Sequence, residues 1–169
     1  MKEVAKLLND MLDAGVISDY AVFGAIAQMR YTEAVSTFDA DILVSVPNDE
    51  AFAILSPIYA FCAKKGYLPE GEAIRVGDWP VQFIPTFSKL TCEAIRHADC
   101  GEIDGTPLRV VRADYLAVIA LSVGRAKDHA RILALLECGA TTREQIEALA
   151  SLHELTPQWT IFINRFLNE

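Results

Sequence analysis

Apolar side chains at the start of the chain recur at the spacing of a helix with one buried face. These positions are Val4, Leu7, Leu8, Met11 and Leu12. Gly15 then ends the pattern, since glycine favours the end of a helix. Apolar runs typical of strands follow at residues 20–23 and 41–46. The amphipathic segment between them, residues 25–31, predicts a short helix.

Helix and strand patterns continue to alternate through the middle of the chain. A turn is predicted at residues 47–49, followed by a helix over 50–65 that Gly66 closes. Later patterns predict a hairpin of two strands, then a helix and one further strand. The hairpin strands span 73–76 and 81–84, the helix spans 90–98, and the further strand spans 106–111.

The pattern in the last third of the chain is helical almost to its end. Breaks are expected near Gly124, at 139–141 and at 156–157. We therefore expect a mixed β-sheet flanked by helices over residues 1–112, in the α/β (α+β) class. A helical C-terminal part over 113–169 should pack on this core as a single compact unit.

The composition fits a small soluble domain with a sizeable core. The chain has 169 residues, of which 52% are hydrophobic. Its longest apolar stretches stay below the roughly 18–20 residues that a membrane-spanning helix needs. The first residues are amphipathic and include an acid, which predicts no secretory signal. The 4 cysteines are widely spaced, so we expect reduced thiols and a cytoplasmic protein.

Charge restricts the partners that the chain can bind. The net charge is −8, from 15 basic and 23 acidic residues. Such a field opposes non-specific binding to DNA or RNA. A nucleotide substrate would therefore require metal ions, or clustered Arg and Lys side chains, to offset the negative charge.

Two carboxylates, Asp39 and Asp41, stand at the start of the second predicted strand. Residues i and i+2 of a strand project from the same face, so these two side chains should lie close together. Their mutual repulsion and partial burial are costs that a divalent cation would relieve. Two hard oxygen ligands suit Mg²⁺, with room left for water and phosphate. The alternative is a solvated strand end beside a turn, where Asp is common.

Gly24 is the feature that favours a binding site over this alternative. It follows the first predicted strand and precedes the acidic pair by fifteen residues. A glycine at a strand-to-helix junction lets backbone N–H groups approach a phosphate closely. The glycine turn is therefore suited to a phosphate, as the acidic pair is suited to a metal ion.

Together these residues resemble the nucleotidyltransferase fold, in which a glycine-containing turn lies beside an acidic pair on the next strand. The resemblance is closest to the branch that includes AbiEii-type toxins and related bacterial proteins. There a Gly-Gly or Gly-Ala pair is followed, after a short segment, by Ser/Thr-x-Asp-x-Asp and apolar residues. Gly24 with Ala25, and then residues 37–42, match this pattern in order and spacing. The resemblance covers roughly residues 16–137.

The resemblance implies transfer of a nucleoside monophosphate from a nucleoside triphosphate to a hydroxyl acceptor. It implies that Asp39 and Asp41 are catalytic and hold Mg²⁺, the expected cofactor. It also places the glycine turn and the start of the acidic motif against the bound nucleotide. These nucleotide-binding residues would be Gly24, Ala25 and Thr37.

A second matching segment follows the sheet at residues 124–132. It resembles the Arg-x-Lys-Asp stretch of the AbiEii-like branch, in which Lys and Asp face the nucleotide. The resemblance implies catalytic roles for Lys127 and Asp128 and a phosphate contact for Arg125. Lys127 and Arg131 also share one helix face at i and i+4. The alternative is an ordinary helix N-terminus, where the helix dipole favours Asp128.

The predicted hairpin departs from the pattern of catalytic members. There a third carboxylate usually lies beside the acidic pair, as a metal ligand or general base. Gln82 stands in about this place, and its carbonyl oxygen can ligate a metal weakly but cannot accept a proton. The alternative function is therefore a catalytically degenerate binding or regulatory module, toxin–antitoxin-like in kind. The acceptor stays open among tRNA, protein hydroxyls and small molecules, and a homodimer stays open too.

Overall fold

The computed structural model describes residues 1–47 and 54–168. Within this part of the chain, seven strands form one mixed sheet. The strands are β1 (Asp19–Val22), β2 (Ala40–Ser45), β3 (Leu68–Glu70), β4 (Ala73–Val76), β5 (Trp79–Pro85), β6 (Asp99–Ile103) and β7 (Thr106–Val110). Their order across the sheet is β3-β4-β5-β2-β1-β7-β6. The predicted mixed sheet is confirmed.

The middle of the sheet is built around β2. This strand pairs with β1 in antiparallel and with β5 in parallel, and β1 also pairs with β7 in parallel. The three successive residues Ile42, Leu43 and Val44 are all buried. Because successive side chains of a strand point to opposite faces, both faces of β2 are covered. The register sets Asp41 of β2 opposite Gln82 of β5.

Helices flank the sheet and make up the C-terminal part, as predicted. They are α1 (Lys2–Asp13), α2 (Gly24–Gln28), α3 (Ser56–Lys64), α4 (Lys89–Arg96), α5 (Ala113–Val123), α6 (Ala126–Glu137), α7 (Arg143–Leu152) and α8 (Thr156–Phe166). α5 is buried along most of its length and contacts α2 and α4 as well as α6, α7 and α8. It therefore joins the C-terminal helices to two of the helices that flank the sheet. None of the helices in the described part combines the length and the apolar content needed to cross a membrane.

Two strands were not predicted from the sequence. β3 is exposed at all three of its positions and contains Pro69, so it carries no alternating apolar signal and lies at an edge of the sheet. β6 has few apolar residues and pairs with β7 across a tight turn. The turn residues Asp104 and Gly105 have φ angles of 49° and 74°, which an Asp-Gly hairpin favours.

Several predicted boundaries differ from the observed ones. α2 ends at Gln28, earlier than the pattern over 25–31 predicts. The hairpin turn is tighter than predicted, because Trp79 already pairs with Val76 in the ladder. Of the helix predicted over 50–65, the portion Ser56–Lys64 is helical. The remainder at 50–53, together with most of the predicted turn at 48–49, lies outside the described residues.

Candidate active site

An open cavity of about 610 Å³ lies among the turn after β1, the start of β2, the strand β5 and the helix α6. We call it the central cavity. Both predicted carboxylates line it, the half-buried Asp41 from β2 and the exposed Asp39 from the bend before that strand. The strand begins only at Ala40, so Asp39 lies just outside it. The expectation that both carboxylates project from the strand is therefore not met. The cavity nevertheless brings the two carboxylates together.

Gly24 packs directly against Asp41. Its φ of +64° lies in the left-handed region, and a Cβ added there would lie 2.2 Å from Oδ2 of Asp41. The main-chain N–H of Phe23 donates to the Asp41 carbonyl oxygen at 2.8 Å, which fixes the turn to β2. Ala25 lines the central cavity beside this contact. The glycine turn and the acidic pair are thus adjacent, as the sequence predicts.

Thr37 holds Asp39 in place. Its hydroxyl lies 3.1 Å from the main-chain oxygen of Asp39 and 3.1 Å from the carboxylate Oδ1. Such a local side-chain bond orients a residue that no strand ladder fixes. Thr37 also lines the central cavity.

The three predicted residues at the start of α6 occupy different places. Arg125 and Lys127 are exposed and line the central cavity. Asp128 is 1% exposed and is not among the described residues that line it. Its Oδ2 accepts from the Arg125 Nε at 2.7 Å and from the Arg125 main-chain N–H at 3.2 Å. The expectation that Asp128 faces the ligand is therefore not met, since this carboxylate caps α6 and orients Arg125.

Arg131 and Gln28 join the site although neither was predicted as a site residue. The Arg131 side chain is 11% exposed and lines the central cavity. Its Nε donates to Oε1 of Gln28 at 3.0 Å, and its guanidinium lies 3.6 Å from Asp128. The shared helix face with Lys127 was a sequence signal for Arg131. A glutamine at the end of a short apolar helix gives no comparable signal.

Charges around the cavity act on the ionisation of Asp41. Burial raises the pKa of this carboxyl, and the nearby charge of Asp39 raises it further. The positive charges of Arg131, Lys127 and Arg125 lower the pKa but do not outweigh these two causes. Burial and the charge of Asp39 thus disfavour the ionised form of Asp41, and a cation bound beside this carboxylate would favour it.

The donor atoms fit Mg²⁺. Two carboxylates face an open cavity that has space for water and phosphate ligands. Gln82 lines the cavity opposite Asp41 and offers a carbonyl oxygen. Among the described residues, no group of three or more His, Cys, Asp or Glu side chains could hold a metal. A metal at this site would therefore depend on the ligand for part of its coordination.

Comparison with solved structures identifies the fold. No protein-family model and no curated protein sequence matches the chain. The solution structure of the antibiotic-resistance factor ANT(2'')-Ia is similar over 100% of both chains, with a TM-score of 0.52 and 16% identity. Its crystal structure in complex with adenylyl-2''-tobramycin covers 96% of this chain and 97% of that one, again with a TM-score of 0.52 and 16% identity.

A third similar structure is an antigenic nucleotidyltransferase-like protein from Paracoccidioides brasiliensis. It covers 96% of this chain and 91% of that chain, with a TM-score of 0.57 and 15% identity. These likenesses show the nucleotidyltransferase fold, which the sequence predicts. Assignment to the AbiEii-like branch stays a prediction.

Proposed function

We propose that the chain transfers a nucleoside monophosphate from a nucleoside triphosphate to a hydroxyl acceptor and releases pyrophosphate. One observation carries the proposal. The central cavity brings the carboxylates of Asp39 and Asp41 together with three cationic side chains, Arg125, Lys127 and Arg131. An acidic pair that attracts metal, set beside cations that attract phosphate, is the combination that a metal-bound triphosphate requires.

The residues of α6 would bind the triphosphate. Lys127 offers an exposed ammonium group, and Arg125 offers a guanidinium that can contact two phosphate oxygens. Arg131 is held by Gln28 and Asp128, so its guanidinium loses little freedom when it meets a phosphate. Beside Asp41, the turn at Gly24 would let the backbone approach the ligand closely.

Asp39 and Asp41 would hold Mg²⁺. When bound, the metal would supply positive charge to the α-phosphate and to the departing pyrophosphate. The acceptor hydroxyl must lose a proton, and Gln82 cannot take it. In the proposed reaction this proton passes to solvent through the open cavity, so we expect slow turnover.

The proposal is tested by calorimetric titration of each nucleoside triphosphate with and without Mg²⁺, together with an assay for pyrophosphate release. Asp41→Asn should weaken Mg²⁺-dependent binding by more than about tenfold, because it removes one charged ligand. The fold should survive, since the change also removes repulsion from Asp39. If Asp41→Asn instead unfolds the chain, the role of this carboxylate is structural.

A module that binds nucleotide without turnover is the second candidate. Gln82 opposite Asp41 favours it, because a carboxamide stands where catalytic members usually carry an acid. Binding without pyrophosphate release over a broad acceptor panel would select this alternative. The panel should include tRNA, protein hydroxyls and small hydroxylated compounds, since ANT(2'')-Ia has been crystallised with an adenylylated small molecule.

A further inference from the structure

Gln28 connects the acidic side of the central cavity with its cationic side. It is the last of the 5 residues of α2, and the first of them, Gly24, packs against Asp41. Gln28 is 7% exposed and lines the cavity, where its Oε1 accepts from Nε of Arg131 on α6. A helix of this length spans only about 6 Å along its axis. One helical turn therefore contacts the acidic pair at one end and a cation of α6 at the other.

The end of α2 that carries Gln28 is fixed to the sheet. The main-chain oxygen of Gln28 accepts from the N–H groups of Tyr31 and Thr32 at 2.9 Å and 3.0 Å. The Tyr31 hydroxyl in turn lies 3.1 Å from the carbonyl oxygen of Val111, just after β7, and 3.1 Å from Oδ2 of Asp99, at the start of β6. Because the chain is held on both sides of this turn, Gln28 presents Oε1 to α6 from a fixed position.

The acceptor that Gln28 offers to Arg131 is neutral. Within the described part of the chain, this is the one hydrogen bond that Arg131 donates. Asp128 lies 3.6 Å from Arg131 but already accepts from the side chain and the main-chain N–H of Arg125. A carboxamide orients a guanidinium without neutralising it, whereas a carboxylate would do both. The charge of Arg131 is thus directed by Gln28 and remains available to a ligand.

Burial makes this charge costly in the absence of a ligand. It lowers the pKa of Arg131, although the charges of Asp128 and Asp41 favour the charged form. A phosphate group in the central cavity would offset the cost, because it is an anion that accepts hydrogen bonds from the free N–H groups of the guanidinium. The arrangement therefore favours ligands whose negative charge extends to Arg131.

We propose that Gln28 is the positioning residue for Arg131, and that its neutrality makes the site selective for polyphosphate over monophosphate ligands. This inference rests on the proposed function, in which the ligand is a nucleoside triphosphate. Gln28 directs the Arg131 guanidinium into the central cavity, which Arg125 and Lys127 also line. A triphosphate carries enough charge to engage all three cations, and a monophosphate does not.

Gln28→Glu tests the neutrality of the acceptor. The change keeps the length of the side chain and an oxygen for Arg131, and it adds one negative charge. We expect the binding of ATP with Mg²⁺ to weaken about tenfold by calorimetry, and that of AMP to weaken less. The urea midpoint should not fall, because Arg131 gains a charged partner. A merely structural role for Gln28 would lower stability and binding together and would affect both nucleotides equally.

Two further variants serve as controls. Gln158→Glu adds the same charge at an exposed position on α8 that does not line the central cavity, and it should leave ATP binding unchanged. Gln28→Met keeps an unbranched side chain but removes the acceptor, so it should weaken ATP binding about fivefold as Arg131 loses its orientation. Unchanged ATP binding in either Gln28 variant, or equal weakening by Gln158→Glu, would overturn the inference.

A double-mutant cycle shows whether Gln28 acts through Arg131. In an Arg131→Met background, Gln28→Met should change ATP binding by less than about twofold, because the group that Gln28 orients is gone. The effect of Gln28→Glu should shrink in the same background. If both changes weaken ATP binding as much as they do in the wild type, Gln28 acts on the ligand directly and is not a positioning residue.

Inorganic tripolyphosphate with Mg²⁺ separates this inference from the proposed function, because it presents the phosphate chain without a nucleoside. If tripolyphosphate binds and Gln28→Glu weakens it, while no nucleoside triphosphate binds or is consumed, the proposed function fails and the inference stands. If ATP binds equally well to the wild type and to Gln28→Glu, the inference fails and the proposed function stands. If neither ligand binds to the wild type, both are wrong.

Discussion

Gly24 offers a direct test of how the glycine turn supports the acidic pair. Gly24→Ala would place a methyl group 2.2 Å from Oδ2 of Asp41, so the carboxylate must move. The change also costs about 1–2 kcal/mol in stability, because alanine tolerates the left-handed backbone poorly. We predict that it weakens Mg²⁺-dependent nucleotide binding strongly, as measured by calorimetry.

Gly71 supplies the matched control. Its φ of +63° is nearly that of Gly24, but a Cβ added there meets nothing within 4 Å. Gly71→Ala should therefore carry a similar cost in unfolding free energy and leave nucleotide binding unchanged. Equal binding by the two variants would show that Gly24 serves only the backbone conformation.

Lys127 should distinguish nucleotides by their number of phosphates. We predict that Lys127→Ala weakens triphosphate binding about tenfold, and monophosphate binding less, because the ammonium offsets charge on the β- and γ-phosphates. The loss should shrink at high salt, where the interaction is already screened. Lys64→Ala, at an exposed position that does not line the central cavity, is the control. A loss that is the same for both nucleotides would argue against this role.

The sequence predicts the site residues that belong to a spaced motif better than those that belong to none. Asp39, Asp41 and Lys127 belong to spaced motifs, and the structure places all three on one cavity. Gln28 belongs to no motif, because its role depends on Arg131, which is 103 residues further along the chain. Contacts between such distant residues are set by tertiary packing and leave no local pattern.

Among the elements, α6 depends most on a single buried carboxylate. Asp128 caps the helix and pairs with Arg125 and Arg131. We predict that Asp128→Ala lowers the free energy of unfolding by about 2–4 kcal/mol, since it removes the cap and leaves Arg131 without its charge partner. Urea denaturation measures the change, and an unchanged midpoint would contradict the capping role.

The stabilisation by Asp128 should also depend on pH. Burial favours the protonated acid, but the bonds and charge of Arg125 and the charge of Arg131 outweigh it, so the folded pKa lies below the ordinary 3.8. A lowered folded pKa gives stability that is present above the ordinary value and is lost as pH falls through the folded one. The difference between the wild type and Asp128→Ala should therefore shrink below about pH 4.

Elements with a strong apolar period are predicted well, and those without one are missed. α1 and β2 lie close to their expected ranges, because each buries a regular set of side chains. β3 and β6 bury little and owe their form to pairing with β4 and β7. The signal for β6 lay in its turn at Asp104 and Gly105 rather than in its apolar content.

For the whole molecule, the chain's 2 tryptophans can test whether the sheet and the C-terminal helices unfold together. Trp79 lies in β5 and Trp159 lies buried in α8, so they report on the sheet and on the C-terminal helices separately. α5 packs against helices of both parts. We therefore predict that Trp79→Phe and Trp159→Phe variants show coincident urea transitions by fluorescence and by circular dichroism. Two separate midpoints would show that the parts unfold independently.

The long separation between Gln28 and Arg131 has a consequence for biosynthesis. A ribosome adds about 5–20 residues per second, so the two walls of the central cavity are made several seconds apart. During that interval β1 and β2 can already pair, but none of the three cations that act on Asp41 has yet been synthesised. The growing chain therefore gains the ability to hold a triphosphate only after α6 has emerged and docked. A fragment that ends before α6 should be unable to bind nucleotide even when its sheet is complete.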